Sequence, residues 1–222
     1  MKMRNRLVGI SAWACGMLFV CTAHATPIFV DNFSFETLLG GSLPSGCGTD
    51  CSFGFDTIPG WDSTGSSGQF RPGPPATTTY FDSVPDGTTI AFTNGGSISQ
   101  TVLATVDVGF IYTLLVEQGV RNDFPDPGLV ELLIGGVPIF ATGVPAAPAS
   151  GGWSTYTATY VGTVADFGKS IGISLVSASA QGDWDNVRLD AVGPSATPEP
   201  LSLALLGIGL AALGMTRRRN QA

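Results

Sequence analysis

Two aspartates near the C-terminal end of the chain have the spacing of paired catalytic carboxylates. Asp183 and Asp185 are two residues apart, so in a strand they would lie on the same face. Two carboxyl groups held about 5–10 Å apart can hydrolyse a glycosidic bond. Glu117 and Glu131 also fall in apolar, strand-like segments. Because residues 26–197 contain sixteen carboxylates, such pairs arise easily by chance. We therefore predict no catalytic residue and no enzymatic activity.

The first 25 residues have the parts of a secretory signal peptide. Lys2 and Arg4 supply positive charge, residues 7–20 are mostly apolar, and Ala23 and Ala25 form a small-residue cleavage site. This pattern predicts a signal peptide at 1–25 that is cleaved after Ala25. A retained membrane anchor is the alternative, but the apolar stretch is shorter than the roughly 20 residues that a span needs.

Removal of this segment restricts the chemistry of the mature chain. The single histidine is His24, so residues 26–197 offer no histidine base or metal ligand. The same residues carry four cations and sixteen carboxylates, which gives a net charge of −12. Such a surface repels nucleic acid and anionic polymers. It suits neutral glycans or calcium, and we predict no nucleic-acid partner.

Two cysteines remain after the signal peptide, Cys47 and Cys51. Export to an oxidising compartment predicts that they form a disulfide. A metal or redox pair is the alternative, which the lack of a histidine and the lack of C-x-x-C spacing disfavour. The disulfide would close a very short loop and stabilise one surface segment.

The middle of the chain has the apolar alternation of β-strands. Residues 154–162 and 186–192 alternate apolar and polar side chains with a period of two. Asn94-Gly95-Gly96 and Gly135-Gly136 predict hairpin turns. No segment before residue 200 keeps a helical apolar period over three turns. We predict an all-β fold over 26–192, a two-sheet antiparallel sandwich.

The C-terminal end has three parts in a fixed order. Residues 193–200 form a proline-containing linker, residues 201–216 form an apolar helix, and residues 217–222 form a basic tail. An uncharged run of fifteen residues makes a helix of about 22 Å, which is marginal for a bilayer core of about 30 Å. Its arginines would remain in the cytoplasm. We predict a weak C-terminal transmembrane helix, with a buried helix of the domain as the alternative.

This end resembles the PEP-CTERM sorting signal. The matching residues are Pro198, Glu199 and Pro200, followed by the apolar run and by the cluster Arg217, Arg218 and Arg219. The resemblance implies a Gram-negative bacterium and a membrane exosortase as partner. It implies transient anchoring in the inner membrane, followed by release or transfer to the cell surface or extracellular matrix.

The domain resembles galactose-binding-like jelly rolls, a fold of several carbohydrate-binding modules. The segments that carry this resemblance are VDNFSFE, IPGWDSTG, GSISQTV and GDWDNVRLDA, in this order. In such modules a structural calcium often joins the first and last strands, which implies Glu36 and Asp185 as ligands. Calcium prefers carboxylate and carbonyl oxygens, in which this chain is rich. Solvated or capping acids are the alternative.

Sugar binding needs aromatic faces and polar groups that fix hydroxyls. Trp61 and Trp153 are candidate platforms, and Arg121 and Asp123 form a polar cluster after a strand. We therefore expect an exported, exosortase-processed surface or matrix protein whose non-catalytic sandwich binds exopolysaccharide. A structural or adhesive biofilm protein without a specific ligand is the alternative, and a glycoside-active enzyme ranks third.

Overall fold

The computed structural model describes residues 24–73, 80–124, 128–144, 146–194 and 207–210. Residues 24–194 form one folded unit, whose strands belong to a single antiparallel sheet with twelve strands. The strands are β1 (Ala25–Ile28), β2 (Ser45–Gly48), β3 (Cys51–Gly54), β4 (Asp62–Ser63), β5 (Ser66–Arg71), β6 (Ile90–Thr105), β7 (Ile111–Gly119), β8 (Leu129–Ile134), β9 (Val137–Phe140), β10 (Thr142–Val144), β11 (Trp153–Val161) and β12 (Ser170–Val192). Short 3-10 turns occur at Leu39–Gly41 and Val164–Asp166.

The all-β, antiparallel jelly-roll prediction is confirmed. The principal path of neighbouring strands is β10-β11-β7-β12-β6-β5-β3-β2. Strand β12 lies at its centre: its first part pairs with β8 and β6, its middle part pairs with β6 and β7, and its last part pairs with β7 and β1. On one side of β12 the neighbour changes from β8, which pairs up to Val176, to β7, which pairs from Asp183 onward, while β6 pairs on both sides of the irregularity between Ser177 and Gln181. One strand therefore contributes to both halves of the fold.

The two predicted turns have different outcomes. Gly135 and Gly136 connect β8 to β9 as a hairpin, and both adopt positive φ. The predicted turn at Asn94-Gly95-Gly96 is wrong, because β6 continues through these residues. At this position Gly96 passes close to the backbone of Thr64, where a Cβ would lie 2.2 Å from the carbonyl oxygen. The glycines thus permit a close approach of two chain segments.

Buried apolar side chains form two clusters. The larger follows the alternation of the strands and includes Tyr112, Leu114, Ile173 and Trp184. The smaller cluster comprises Cys51, Phe70, Phe81, Ile90 and Phe92, and we call it the aromatic cluster. The apolar positions of β11 and of the end of β12 point inward as the period of two predicts.

Several predictions about the chain ends fall outside the described residues. These are residues 1–23 of the signal peptide, residues 195–200 with the PEP-CTERM proline-glutamate-proline motif, the basic tail and most of the 201–216 helix, whereas Ala25 of the predicted cleavage site is the first residue of β1. Residues 207–210 are helical. In the described ranges, no helix has the length and apolar character needed to cross a membrane.

Candidate active site

A cavity of about 230 Å³ opens beside the aromatic cluster. Its lining residues fall into an aromatic group and a polar group, which we call the aromatic side and the polar side. The aromatic side consists of Phe53, Phe55, Phe70, Tyr80 and Phe92. The polar side consists of Asn94, Arg121 and Gln181, and Cys47 completes the lining. An apolar body with a polar group at one end would match this arrangement.

The strand registers bring the aromatic rings together. Phe53 on β3 is the register partner of Phe70 on β5. Phe55 packs edge-on against Phe92 with ring centroids 5.3 Å apart, and Phe70 packs in the same way against Tyr80 at 5.3 Å. Edge-to-face pairs are a favoured geometry for aromatic side chains. The rings therefore form a wall that other packed rings hold in place.

A disulfide joins Cys47 on β2 to Cys51 on β3, with Cα atoms 5.0 Å apart. Cys51 belongs to the aromatic cluster, and Cys47 lines the cavity. The bond therefore links the β2–β3 hairpin to the same packing that supports the aromatic wall.

Arg121 is the only cation that lines this cavity in the described part of the chain. Its Nε and Nη2 donate to the two carboxylate oxygens of Asp123 at 2.9 and 2.6 Å. The guanidinium carbon lies 4.5 Å from the ring centroid of Tyr80 and 5.4 Å from that of Phe70. Such cation–π contacts and a bidentate carboxylate fix the plane of the guanidinium. Arg121 is only 9% exposed.

A hydrogen-bonded chain leads from Arg121 to a buried carboxyl group. Nη1 of Arg121 donates to Oε1 of Gln181 at 2.7 Å, and Nε2 of Gln181 donates to Oδ1 of Asp183 at 2.8 Å. Asp183 is fully buried, and its Oδ2 has no hydrogen-bond partner in the described structure. The Gln181 side chain lies between this carboxyl group and the cavity.

Burial raises the pKa of Asp183 to about 7, because the charged carboxylate loses its hydration. The hydrogen bond from Gln181 and the charge of Arg121 act in the opposite direction, and the charge of Asp123 raises the pKa further. A carboxyl group of this kind is largely protonated below neutral pH. It can therefore serve as a general acid.

Strand alternation explains why the Asp183 side chain lies behind Gln181, next to the cavity. Gln181, Asp183 and Asp185 share one face of β12, while Trp184 faces the main core and is fully buried. Asp183 is the register partner of Phe92 on β6 and of Gly119 on β7. With a strand on each side, its backbone cannot shift without breaking both ladders.

The second predicted carboxylate, Asp185, occupies a different environment. Its Oδ2 accepts the Asp86 N–H at 2.8 Å, and its Oδ1 accepts the Asn186 N–H at 2.7 Å. Burial raises the pKa of Asp185 to about 8, and nearby Asp86 and Glu36 raise it further. Glu36 Oε1 in turn accepts the N–H groups of Thr88 and Thr89. Both predicted calcium ligands thus contact segment 86–89.

Hard carboxylate oxygens on two sides of one loop fit the donor preference of calcium. However, three of the four carboxylate oxygens of Glu36 and Asp185 already accept backbone N–H groups. Among the residues that the structure describes, no three His, Cys, Asp or Glu side chains are grouped to hold a metal ion. The calcium ion therefore stays a prediction.

The predicted ligand-binding residues separate into two groups. Arg121 lines the polar side of the cavity, and Asp123 forms an ion pair with Arg121 from outside the described lining. Trp61 is 4% exposed and packs on Phe35 with ring centroids 5.3 Å apart. Trp153 packs on a ring of the aromatic cluster and donates its Nε1 to the Ser83 carbonyl at 2.7 Å. These contacts give both tryptophans a packing role outside the described lining of the cavity.

Sequence reasoning missed the aromatic wall and Gln181. The five rings come from β3, β5, β6 and the connecting segments, and no local spacing relates them. Gln181 and Asp183 do have a signal, because a period of two places them on one strand face. From the sequence alone, however, that signal indicates a carboxylate pair with Asp185 rather than an amide next to an acid.

The comparisons with known proteins define the class of this protein. The sequence matches the HpiC1-like family, described as HpiC1 cyclase, over residues 26–190. The match covers most of the chain, so the chain belongs to the HpiC1-like cyclase family. No curated protein matches the sequence.

Solved structures agree with this assignment. The Stig cyclase Fisc from Fischerella sp. TAU, in complex with (3Z)-3-(1-methyl-2-pyrrolidinylidene)-3H-indole, is 26% identical with a TM-score of 0.64, and the alignment covers 78% of this chain and 100% of that one. A cyclase from the same organism, in complex with 4-(1H-Indol-3-yl)butan-2-one, is 27% identical with a TM-score of 0.60 and the same coverage. An apo cyclase from Fischerella sp. shares the fold at 23% identity, with a TM-score of 0.63 and coverage of 78% and 98%.

Two expectations are thereby corrected. The prediction that the domain is a non-catalytic exopolysaccharide binder is wrong, and so is the prediction that the protein is not an enzyme. The physical reason is that the many carboxylates of this chain look alike in sequence. Asp183 and Asp185 are both fully buried, but of the two only Asp183 accepts a hydrogen bond from Gln181, which lines the aromatic cavity, and neither burial nor this contact is visible in a single sequence. The PEP-CTERM signal, the exosortase partner and the export route stay predictions.

Proposed function

We propose that this protein is a cyclase that closes a ring in an indole-like aromatic substrate, with Asp183 as the proton donor. The observation that carries the proposal is a fully buried carboxyl group with a free Oδ2, one hydrogen bond behind an aromatic cavity. Membership of a cyclase family and two cyclase neighbours with indole ligands support the reaction type and the substrate class.

The aromatic side of the cavity would bind the ring system of the substrate. Phe55, Phe70 and Phe92 offer ring faces and edges to an indole, and they exclude water from it. Ring closure requires that two parts of one molecule meet. A cavity of about 230 Å³ holds a flexible side chain near its own ring and so reduces the entropic barrier.

The reaction would be an isomerisation, so the product has the same atomic composition and charge as the substrate. Asp183 transfers the proton on its Oδ2 to an unsaturated group in the substrate side chain, which becomes electrophilic. A carbon of the aromatic ring then attacks this group, and the new carbon–carbon bond closes the ring. The ring then loses a proton to the Asp183 carboxylate. This transfer restores the aromaticity of the ring and regenerates the acid. The substrate would displace the Gln181 amide to reach Asp183.

The test is the variant Asp183→Asn, which keeps the shape of the side chain but cannot donate an acidic proton. Indoles with an unsaturated side chain would be incubated with each protein, and cyclised isomers of unchanged mass would be detected by chromatography and NMR. We expect a loss of turnover of about 100-fold or more, as for removal of a general acid. Binding of 4-(1H-Indol-3-yl)butan-2-one, measured by calorimetry, should remain.

The matched control is Asp190→Asn, on the same strand but with its side chain outside the cavity lining. This variant should cyclise the substrate at the wild-type rate. If Asp183→Asn is as active as the wild type, Asp183 is not the acid. If the wild type cyclises no unsaturated indole and does not bind the indole ketone, the proposed substrate class is wrong.

A further inference from the structure

We infer that Arg121 determines substrate specificity: its guanidinium recognises a neutral hydrogen-bond acceptor, such as a carbonyl oxygen, on the side chain of an aromatic substrate. This inference rests on the proposed function, because it assigns the substrate to the same cavity. It adds a chemical group that the substrate must carry.

The first argument concerns the donors of Arg121. A guanidinium has five N–H bonds in one plane. Three of them are used, two by Asp123 and one by Gln181. The other two have no acceptor among the described residues. An oxygen atom of a substrate in the cavity could therefore accept a hydrogen bond from Arg121 without displacing Asp123.

The second argument concerns direction. The rings of Phe70, Tyr80 and Phe124 lie 4.5–5.4 Å from the guanidinium carbon. Rings packed around the guanidinium leave its in-plane edge as the route to a ligand. Recognition would thus occur through a directed hydrogen bond rather than through stacking of the substrate ring on Arg121.

The third argument concerns charge. The bidentate contact with Asp123 neutralises the guanidinium locally. A substrate carboxylate would come close to the Asp123 carboxylate, and residues 26–197 already carry a net charge of −12. A neutral carbonyl avoids this repulsion and still accepts a charge-assisted hydrogen bond. Of the two kinds of acceptor, the site favours the neutral one.

The experiment compares three indole probes on the full chain by titration calorimetry. The first is 4-(1H-Indol-3-yl)butan-2-one. The second is the matched butylindole, which lacks the carbonyl oxygen, and the third is the matched propanoic acid, in which a carboxylate replaces the methyl ketone. A carbonyl without a partner would weaken binding relative to the alkane, because its desolvation costs free energy. Tighter binding of the ketone therefore reports a hydrogen bond.

We expect the wild type to bind the ketone about tenfold more tightly than the butylindole, as for one hydrogen bond to a charged group. The carboxylate should bind more weakly than the ketone. Arg121→Met removes the N–H donors but keeps a side chain of similar length. The variant should bind the ketone and the butylindole with about equal affinity. Arg121→Lys, which keeps the charge but loses the planar fork, should retain only part of the preference.

The matched control is Lys169→Met. It breaks the ion pair between Lys169 and Asp166, whose Nζ and Oδ1 atoms are 2.7 Å apart and which does not line the cavity. It should keep the full preference for the ketone. Circular dichroism and thermal unfolding would establish that each variant is folded.

Equal binding of ketone and butylindole by the wild type would overturn the inference and leave the aromatic site intact. A preference that persists in folded Arg121→Met would overturn it as well. If neither neutral probe binds the wild type, the proposed function fails first, and this inference fails with it. The wild-type comparison remains decisive even if the Arg121 variants do not fold.

Discussion

Gln181 and Asp183 are two residues apart on β12, and the Gln181 amide donates a hydrogen bond of 2.8 Å to Oδ1 of Asp183. This contact stabilises the charged form of the carboxyl group and opposes the effect of burial. It also leaves Oδ2 as the oxygen that can hold the proton. The balance between burial and this hydrogen bond sets the pH range in which Asp183 can act as an acid.

The first prediction is a pH profile that depends on Gln181. Asp183 donates only while it is protonated, and its pKa is raised to about 7, so turnover should fall as the pH rises through about 7. Gln181→Leu removes the hydrogen bond that favours the carboxylate. We therefore expect the midpoint of this fall to move to higher pH in kcat/KM for cyclisation, which reports the free enzyme before the substrate displaces the amide. A midpoint that does not move would contradict the role assigned to the Gln181 amide.

The second prediction separates binding from stability at the aromatic wall. Phe55 lines the cavity but is 56% exposed. We expect Phe55→Ala to reduce the free energy of unfolding by less than about 1 kcal/mol, because little buried area is lost. The same change should weaken binding of the indole ketone about tenfold, as measured by calorimetry. Phe29→Ala, at an exposed ring outside this cavity, is the matched control and should bind normally.

The third prediction concerns the disulfide between Cys47 and Cys51. Because its loop is short, replacing both cysteines by serine should cost about 2 kcal/mol or less in urea unfolding. The affinity for the indole ketone should fall as well, because β3 carries Phe53 of the aromatic wall. A variant that is less stable but binds the ketone normally would show that the hairpin does not support the wall.

The fourth prediction concerns calcium. If calcium binds between Glu36 and Asp185, EDTA should lower the Tm of the purified protein, and added calcium should restore it. The double variant Glu36→Gln and Asp185→Asn should not respond to either treatment. An unchanged wild-type Tm at low calcium would eliminate the ion, and the carboxylates would then serve only as acceptors for segment 86–89.

The fifth prediction concerns the chain ends. The intact mass of the protein from its native host should correspond to a chain that begins at Thr26 and ends near Pro198–Pro200. Such a species outside the cell would support processing at both ends. A species in the membrane fraction that retains residues 201–222 would contradict the exosortase prediction.

The strands were more predictable than the site because they leave a local pattern. The alternation around Tyr156 and around Leu189 matches their burial, and Gly135-Gly136 matches the hairpin between β8 and β9. The error at Asn94–Gly96 has a physical cause. Glycines that suit a turn also suit a close approach of two backbones, and only the tertiary structure distinguishes the two.

The cavity depends on long-range register, which a single sequence does not reveal. Phe53 and Phe92 line the same cavity because β3, β5 and β6 are neighbours in the sheet. The meaning of Asp183 likewise comes from its burial between two strands. Its residue type and spacing are visible in the sequence, but its protonation depends on an environment that folding creates.

The alternation of β12 makes enzymatic activity an assay for correct folding. Asp183 and Trp184 are adjacent, and their side chains point to opposite faces of the strand. A slip of β12 by one residue would exchange them, with the carboxyl group directed into the apolar core and the indole ring directed toward the cavity. A misaligned molecule would thus lose its core and its acid together. Partly active, misregistered forms should therefore not accumulate, and the specific activity of a preparation should measure its properly folded fraction.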